Sequence, residues 1–175
     1  MATIRFLLCV LCFTTISWSW VFGSSFIKSN KNDYGRVIEI AREEIGVRET
    51  NNTNSGIRVE AYLSYVGFKK GSPWCAAFVS WVFNEAGFKL PKSAWSPALF
   101  PPSRQSKDVT PGMIFGIYFP KLKRIAHCGI VESIRNDWII TIEGNTNAIG
   151  SREGDGVYRK VRSKKSIKYF SNWIN

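Results

Sequence analysis

Apolar residues recur at the spacing of an amphipathic helix in the first part of the chain. Residues 34–45 carry four of them on one face, with Asn32 and Asp33 available to cap the start and Gly46 to end the helix. Residues 57–66 repeat the pattern. The sequence therefore predicts two helices joined by a polar loop.

A third segment, residues 75–86, is apolar on almost every side. Pro73 suits the first turn of a helix, because its missing N–H would have no partner there, and Gly87 is a typical residue for the end. A helix without a polar face is expected to be buried. Cys75 stands at its start.

Beyond residue 112 the apolar residues form alternating or short continuous runs that are typical of strands. Short polar turns such as residues 135–137 separate these runs, and strands joined in this way pair antiparallel. The predicted strands are residues 113–119, 125–134, 138–143 and 157–161. Helices followed by such strands predict an α+β fold.

Residues 88–110 fit neither pattern, because four prolines interrupt them. Trp95, Leu99 and Phe100 lie among these prolines. Loops of this length in a compact domain are usually functional or mobile. This segment therefore either forms a wall of a substrate groove or packs over the core.

The N-terminal segment has the features of an export signal. Residues 6–27 carry no charge and are rich in large apolar side chains, and cleavage after Ser19 or Gly23 would leave a small residue at the cut. We predict a signal peptide over residues 1–23 and a secreted or periplasmic mature protein. An uncleaved membrane anchor is one alternative, since the run is about long enough to span a bilayer. Lipid attachment at Cys9 or Cys12 is another, although neither follows a small residue.

The chain has 175 residues, of which 45% are hydrophobic, so it is long enough for one core and too short for two ordinary domains. We assign residues 34–174 to one domain and expect a monomer. The net charge of the whole chain is +11, concentrated in the second half. In an exported protein this charge favours binding to peptidoglycan or another anionic cell-wall polymer, with no nucleic-acid partner, or it serves as a solubilising surface.

Only two cysteines, Cys75 and Cys128, lie outside the predicted signal. In an oxidising compartment they can form a disulfide, or Cys128 can be a small buried apolar residue. Successive side chains of a strand point to opposite faces. If His127 faces Cys75, Cys128 is therefore expected to face away from it.

His127 is the only histidine of the chain and lies within a predicted strand. A thiol attacks acyl carbons well as a thiolate, which a histidine and the positive end of a helix dipole stabilise. The next strand leads into Glu143 and Asn145, either of which can orient the imidazole. A structural role explains each residue alone, but together they fill the roles of nucleophile, base and orienting group.

Three motifs, in this order, resemble those of the CHAP domain, the family of cysteine- and histidine-dependent amidohydrolases and peptidases. They are PWCAAFV at residues 73–79, AHCGIV at 126–131 and EGNTN at 143–147, supported by EIGVRE at 44–49 and Pro-Gly at 111–112. The resemblance covers about residues 34–174. Met113 departs from it, since the family commonly has an acidic residue there.

The resemblance implies a papain-like α+β fold, with N-terminal helices packed on an antiparallel sheet and the nucleophile at a helix N-terminus. It implies that Cys75 is the nucleophile and His127 the general base. Glu143 is then the residue that orients the imidazole, and Asn145 is a supporting polar group. No aspartate cluster of the kind found in calcium loops is present, so we predict neither a metal nor another cofactor.

The resemblance also implies a secreted peptidoglycan hydrolase that cleaves amide bonds of stem peptides through an acyl-enzyme. Such an enzyme is either an N-acetylmuramoyl-L-alanine amidase or an endopeptidase, and we expect Trp74 and Trp95 to contact its substrate. One alternative is a catalytically silent wall-binding module. Another is an antibacterial toxin with the same chemistry, whose partner would be an immunity or inhibitor protein.

Overall fold

A computed structural model describes residues 31–149 and 153–174. The predicted signal peptide, residues 1–23, lies outside the described residues. Within the described ranges, no helix combines the length and the apolar character needed to cross a membrane.

Three helices precede most of the sheet in the described part of the chain. They are α1 (Lys31–Glu43), α2 (Ile57–Tyr65) and α3 (Cys75–Glu85). The three predicted helices are thus confirmed to within a few residues. The predicted cap of the first is wrong, because α1 includes Asn32 and Asp33 in its first turn, where the negative charge of Asp33 suits the helix dipole.

The strands of the described residues form one antiparallel sheet. Their bounds are β1 (Gln105–Ser106), β2 (Ile114–Phe119), β3 (Arg124–Arg135), β4 (Trp138–Thr146), β5 (Gly156–Ser163) and β6 (Tyr169–Ser171). The spatial order is β1-β6-β2-β3-β4-β5, so β3 lies inside the sheet between β2 and β4. The four predicted strands and the α+β class are confirmed, and β1 and β6 are additional.

The two faces of the sheet bury separate apolar clusters. On one face the helices pack against the sheet, with Phe78 and Phe83 of α3 against Ile130 and Ile142. On the other face Phe115 lies in a smaller cluster. As its composition predicts, α3 is buried over most of its length. This central helix fixes the position of Cys75 against the sheet.

The proline-rich loop packs over the core and also borders a cavity described below. It forms two short 3-10 helices, Ser96–Leu99 and Pro102–Arg104. Leu99 and Phe100 are buried, and the Leu99 carbonyl accepts a hydrogen bond from Trp173 Nε1 at 3.0 Å. The predicted packing over the core is thus confirmed, and the predicted role as a wall of a substrate groove stays a prediction.

The segment predicted as a turn at residues 143–147 instead continues β4 as far as Thr146. Gly144 allows α3 to pack directly on this strand, because a Cβ there would lie 2.7 Å from Trp74 and 2.8 Å from Phe78. The prediction of a turn is wrong because β4 is only interrupted at Gly144 and Asn145, where the register shifts, and pairing with β5 resumes at Thr146 opposite Gly156.

Candidate active site

Cys75 is the first residue of α3 and is 4% exposed. The N–H groups in the first turn of a helix lack carbonyl partners within the helix, and the dipole adds partial positive charge there. The first helical hydrogen bond runs from the Phe78 N–H to the Trp74 carbonyl at 2.8 Å. The Cys75 sulfur thus belongs to the helix end that favours a negative charge.

His127 of β3 is hydrogen-bonded to Glu143 of the neighbouring β4. Both side chains are buried, and His127 Nε2 lies 2.9 Å from Glu143 Oε2. Because an ionised carboxylate only accepts hydrogen bonds, Nε2 carries a proton. His127 Nδ1 is buried without a hydrogen-bond partner among the described residues. It is therefore the nitrogen that can exchange a proton with a thiol or a substrate.

Glu143 is kept ionised by a cation from β5. Arg162 donates from Nε and Nη2 to the two carboxylate oxygens, each at 2.6 Å, and Thr141 Oγ1 donates to Oε1 at 2.5 Å. Burial raises the pKa of Glu143, but Arg162 and then His127 lower it by more, to about 2. The carboxylate is therefore negative throughout the neutral pH range.

Cys75 and His127 favour an ion pair at neutral pH. The pKa of Cys75 is held well below its ordinary value, chiefly by the neighbouring Cys128 thiol, against the effect of burial, and further by His127 and Ser96. Burial lowers the pKa of His127, but Cys75 and Glu143 raise it by more, to about 9. These opposite shifts favour a Cys75 thiolate and a protonated His127 at neutral pH.

Cys128 lies in the same helix-facing core cluster as Cys75, and both are free thiols. The prediction that Cys128 faces away from Cys75 is wrong. The alternation along β3 itself holds, since His127 bonds Glu143 while Cys128 packs toward the helices in the cluster that contains Cys75. Burial and then Cys75 raise the pKa of Cys128 well above its ordinary value, so this residue stays neutral.

Asn145 supports the start of α3 rather than the imidazole. In the amide orientation that satisfies its hydrogen bonds, the side-chain oxygen accepts from the Trp74 N–H at 3.0 Å. The side-chain nitrogen then donates to the Gly154 carbonyl at 3.1 Å. The residue is buried with a left-handed φ of 54°, which asparagine tolerates better than most residues. Asn145 therefore fixes the backbone directly before Cys75.

Trp74 is fully buried at 0% exposure. Its Nε1 donates to Glu49 Oε1 at 2.7 Å, and its ring stacks on Tyr62 with the ring centroids 5.7 Å apart. The structure thus gives Trp74 a packing role and leaves its side chain no access to a substrate. This corrects the expectation of a substrate contact at Trp74.

Trp95 is 52% exposed and borders a cavity of about 220 Å³ beside Cys75. Ser96 also lines it, with its Oγ 3.4 Å from the Cys75 sulfur, and so does Arg124. Substrate contact by Trp95 stays a prediction, and it is compatible with this location.

Sequence reasoning did not single out Arg162, Thr141 or Ser96. Arg162 belongs to a basic run that suggested a charged surface, yet its side chain is only 19% exposed. Arg159 of the same run likewise pairs with buried Glu132 at 2.6 Å. Nothing in the local sequence distinguishes these arginines from unpaired ones, because their partners come from other strands.

The site has the arrangement of thiol-dependent acyl-transfer enzymes. A thiol lies at a helix start, a carboxylate holds one nitrogen of the imidazole, and a cavity borders the cysteine.

The CHAP domain family model matches residues 67–145, just under half of the chain. The prediction of a CHAP domain is confirmed over these residues, and the α+β structure is compatible with that fold. CHAP domains are in general cysteine- and histidine-dependent amidohydrolases of the peptidoglycan-hydrolase type. No curated protein and no solved structure matches the chain.

Proposed function

We propose that the protein is an exported peptidoglycan hydrolase that cleaves an amide bond of the stem peptide by cysteine chemistry. The observation that supports this best is the set of three buried side chains of Cys75, His127 and Glu143. Cys75 begins a helix, and His127 is hydrogen-bonded to Glu143. The CHAP match supports the substrate class. The net charge of +11 is suited to an anionic wall polymer.

In the proposed cycle the Cys75 thiolate attacks the amide carbon, and the carbonyl oxygen takes up negative charge near the N–H groups at the start of α3. His127 then gives a proton to the leaving amine as the C–N bond breaks. Water, deprotonated by His127, hydrolyses the thioester and releases the Cys75 thiolate. Glu143 keeps Nε2 protonated, so Nδ1 makes each transfer.

Incubation of the purified protein with insoluble peptidoglycan tests this proposal. The wild type should release new amino groups, and Cys75→Ala should release none above background. Mass spectrometry of the products then separates an amidase, which exposes the first stem residue, from an endopeptidase, which cuts within the stem or cross-bridge. Release by Cys75→Ala at the wild-type rate would refute the mechanism, and wall binding without release would identify a silent binding module.

The proposed export rests on the uncharged residues 6–27. Mass mapping of the protein recovered from its native cells should show a mature chain that begins near residue 24. A membrane-bound chain that still begins at Met1 would identify the anchor instead.

A further inference from the structure

The cavity beside Cys75 has one charged side chain in its described wall. Cys75, the apolar rings of Phe68 and Trp95, and the guanidinium of Arg124 bound it, and its volume is about 220 Å³. The cavity thus offers apolar surface and one cation directly beside the candidate nucleophile.

Arg124 is the first residue of β3, and two contacts hold its guanidinium in place. Its Cζ lies 4.3 Å from the centroid of the Trp95 ring, and its Nη1 donates to the Ile125 carbonyl at 3.1 Å. A guanidinium has five N–H donors, so four remain for a ligand. Within the described residues no carboxylate pairs with Arg124, whereas Arg159 and Arg162 each bind one.

We propose that Arg124 is a specificity-determining residue that binds a carboxylate on the substrate residue next to the scissile amide. Stacking on Trp95 leaves the guanidinium edge available, and that edge matches a carboxylate with two parallel hydrogen bonds. The apolar part of the same substrate residue contacts Phe68 and Trp95. This inference rests on the proposed function, and it names the preferred substrate as a stem peptide with a free carboxylate, not a carboxamide, at that residue.

The experiment compares peptidoglycan that has free carboxylates with the same material after carbodiimide coupling to ammonia, which converts the carboxylates into carboxamides. Hydrogen bonds to charged groups are strong enough that the wild type should release amino groups about 10- to 100-fold faster from the first material. Arg124→Gln should bring this ratio close to 1, and Arg124→Lys should keep part of the preference.

Arg104→Gln is the matched control. Arg104 also stacks on a tryptophan, with its Cζ 5.2 Å from the centroid of Trp173, but it does not line the cavity. The substitution removes the same charge and should keep the wild-type ratio. Equal loss of the preference in both variants would indicate a general charge effect and would overturn the proposal.

Two further outcomes separate this proposal from the proposed function. An unchanged preference in Arg124→Gln, with amine release intact, would overturn the role of Arg124 and leave the hydrolase standing. No release by the wild type from either material would refute the hydrolase, and the substrate preference with it. In a Cys75→Ala background, Arg124→Gln should weaken cosedimentation with the free-carboxylate material only, which reports binding without turnover.

Discussion

The thiol of Cys75 lies among three polar side chains rather than beside one. Cys128, His127 and Ser96 all lower its pKa, and Cys128 has the largest effect. Burial by itself favours the neutral thiol, so a buried thiolate needs such partners. The second cysteine therefore takes part in the electrostatics of the site although it stays neutral.

Cys128→Ala should raise the pKa of Cys75, because the neighbouring thiol that lowers this pKa most is removed. The measurement is the rate of alkylation by iodoacetamide against pH, with Cys75 identified by peptide mass mapping. The midpoint should move to higher pH, and it should move less in Cys128→Ser, which keeps a donor. An unmoved midpoint in Cys128→Ala would show that Cys128 does not stabilise the thiolate.

Amine release by the wild type should fall above about pH 9, where His127 loses the proton that the leaving amine requires. Glu143→Gln removes a negative charge that stabilises the imidazolium, so the pKa of His127 falls. The alkaline limb should therefore move to lower pH by about one unit or more. The check is a pH–rate profile of both proteins.

Asp137→Asn is the control for this profile, because it also removes a carboxylate but from an exposed pair with Lys165 at 3.4 Å. Its alkaline limb should coincide with that of the wild type. If the alkaline limb of Glu143→Gln also coincides with that of the wild type, the limb does not reflect deprotonation of an imidazolium that Glu143 stabilises.

The main residues of the site could be predicted from sequence because each brings a distinctive chemistry in a short motif. Cys75 stands at a recognisable helix start, and His127 is the only imidazole of the chain. Arg162 and Ser96 carry no such signal. Arg162 reaches Glu143 from a separate strand, and Ser96 reaches Cys75 through a proline-rich loop, so only the folded chain brings them to the site.

Among the elements, the contact between α3 and β4 sets how closely the thiol approaches the strands that carry the base and the acid. Gly144 is the residue of β4 that has no side chain where Trp74 and Phe78 lie against the strand. Any larger residue must move the helix start or the strand. The position of Cys75 therefore depends on a glycine in a different element.

Gly144→Ala should destabilise the protein by about 1–3 kcal/mol, because its Cβ would lie within 3 Å of two buried aromatic side chains. Urea unfolding measures the loss. Gly35→Ala is the matched control, since it lies in α1 with nothing within 4 Å of the added Cβ. It should be neutral or stabilise by about 0.5–1 kcal/mol. Equal stabilities of the two variants would contradict the close packing at Gly144.

Long apolar elements could be predicted, and short ones could not. The apolar run of α3 and that of β3 lie in elements of more than ten residues, whereas β1 has two residues and β6 has three. Such short strands are defined by their partners, as Gln105 pairs with Ser171 across a long chain separation. Local periodicity contains no information about that pairing.

At the scale of the whole molecule, the chain has a net charge of +11. This value already counts the carboxylates that pair with Arg159 and Arg162. Cosedimentation of Cys75→Ala with peptidoglycan should fall several-fold between 0.1 M and 1 M NaCl, as the Debye length shortens from about 10 to about 3 Å. The carboxamide form of the same material is the control and should show a weaker salt dependence. Equal binding at both salt concentrations would exclude a contribution from net charge.

The contacts that complete the site extend beyond the segment that matches the family model. Arg162, which balances Glu143, lies after residue 145, and the Asn172 side chain donates to the Tyr34 hydroxyl at 3.0 Å, which joins the two ends of the described chain. A gene fusion that transferred only residues 67–145 to another carrier would thus deliver the thiol, the base and the acid without the counter-ion. A transferred segment should therefore also include Tyr34 of α1, Arg162 of β5 and Asn172.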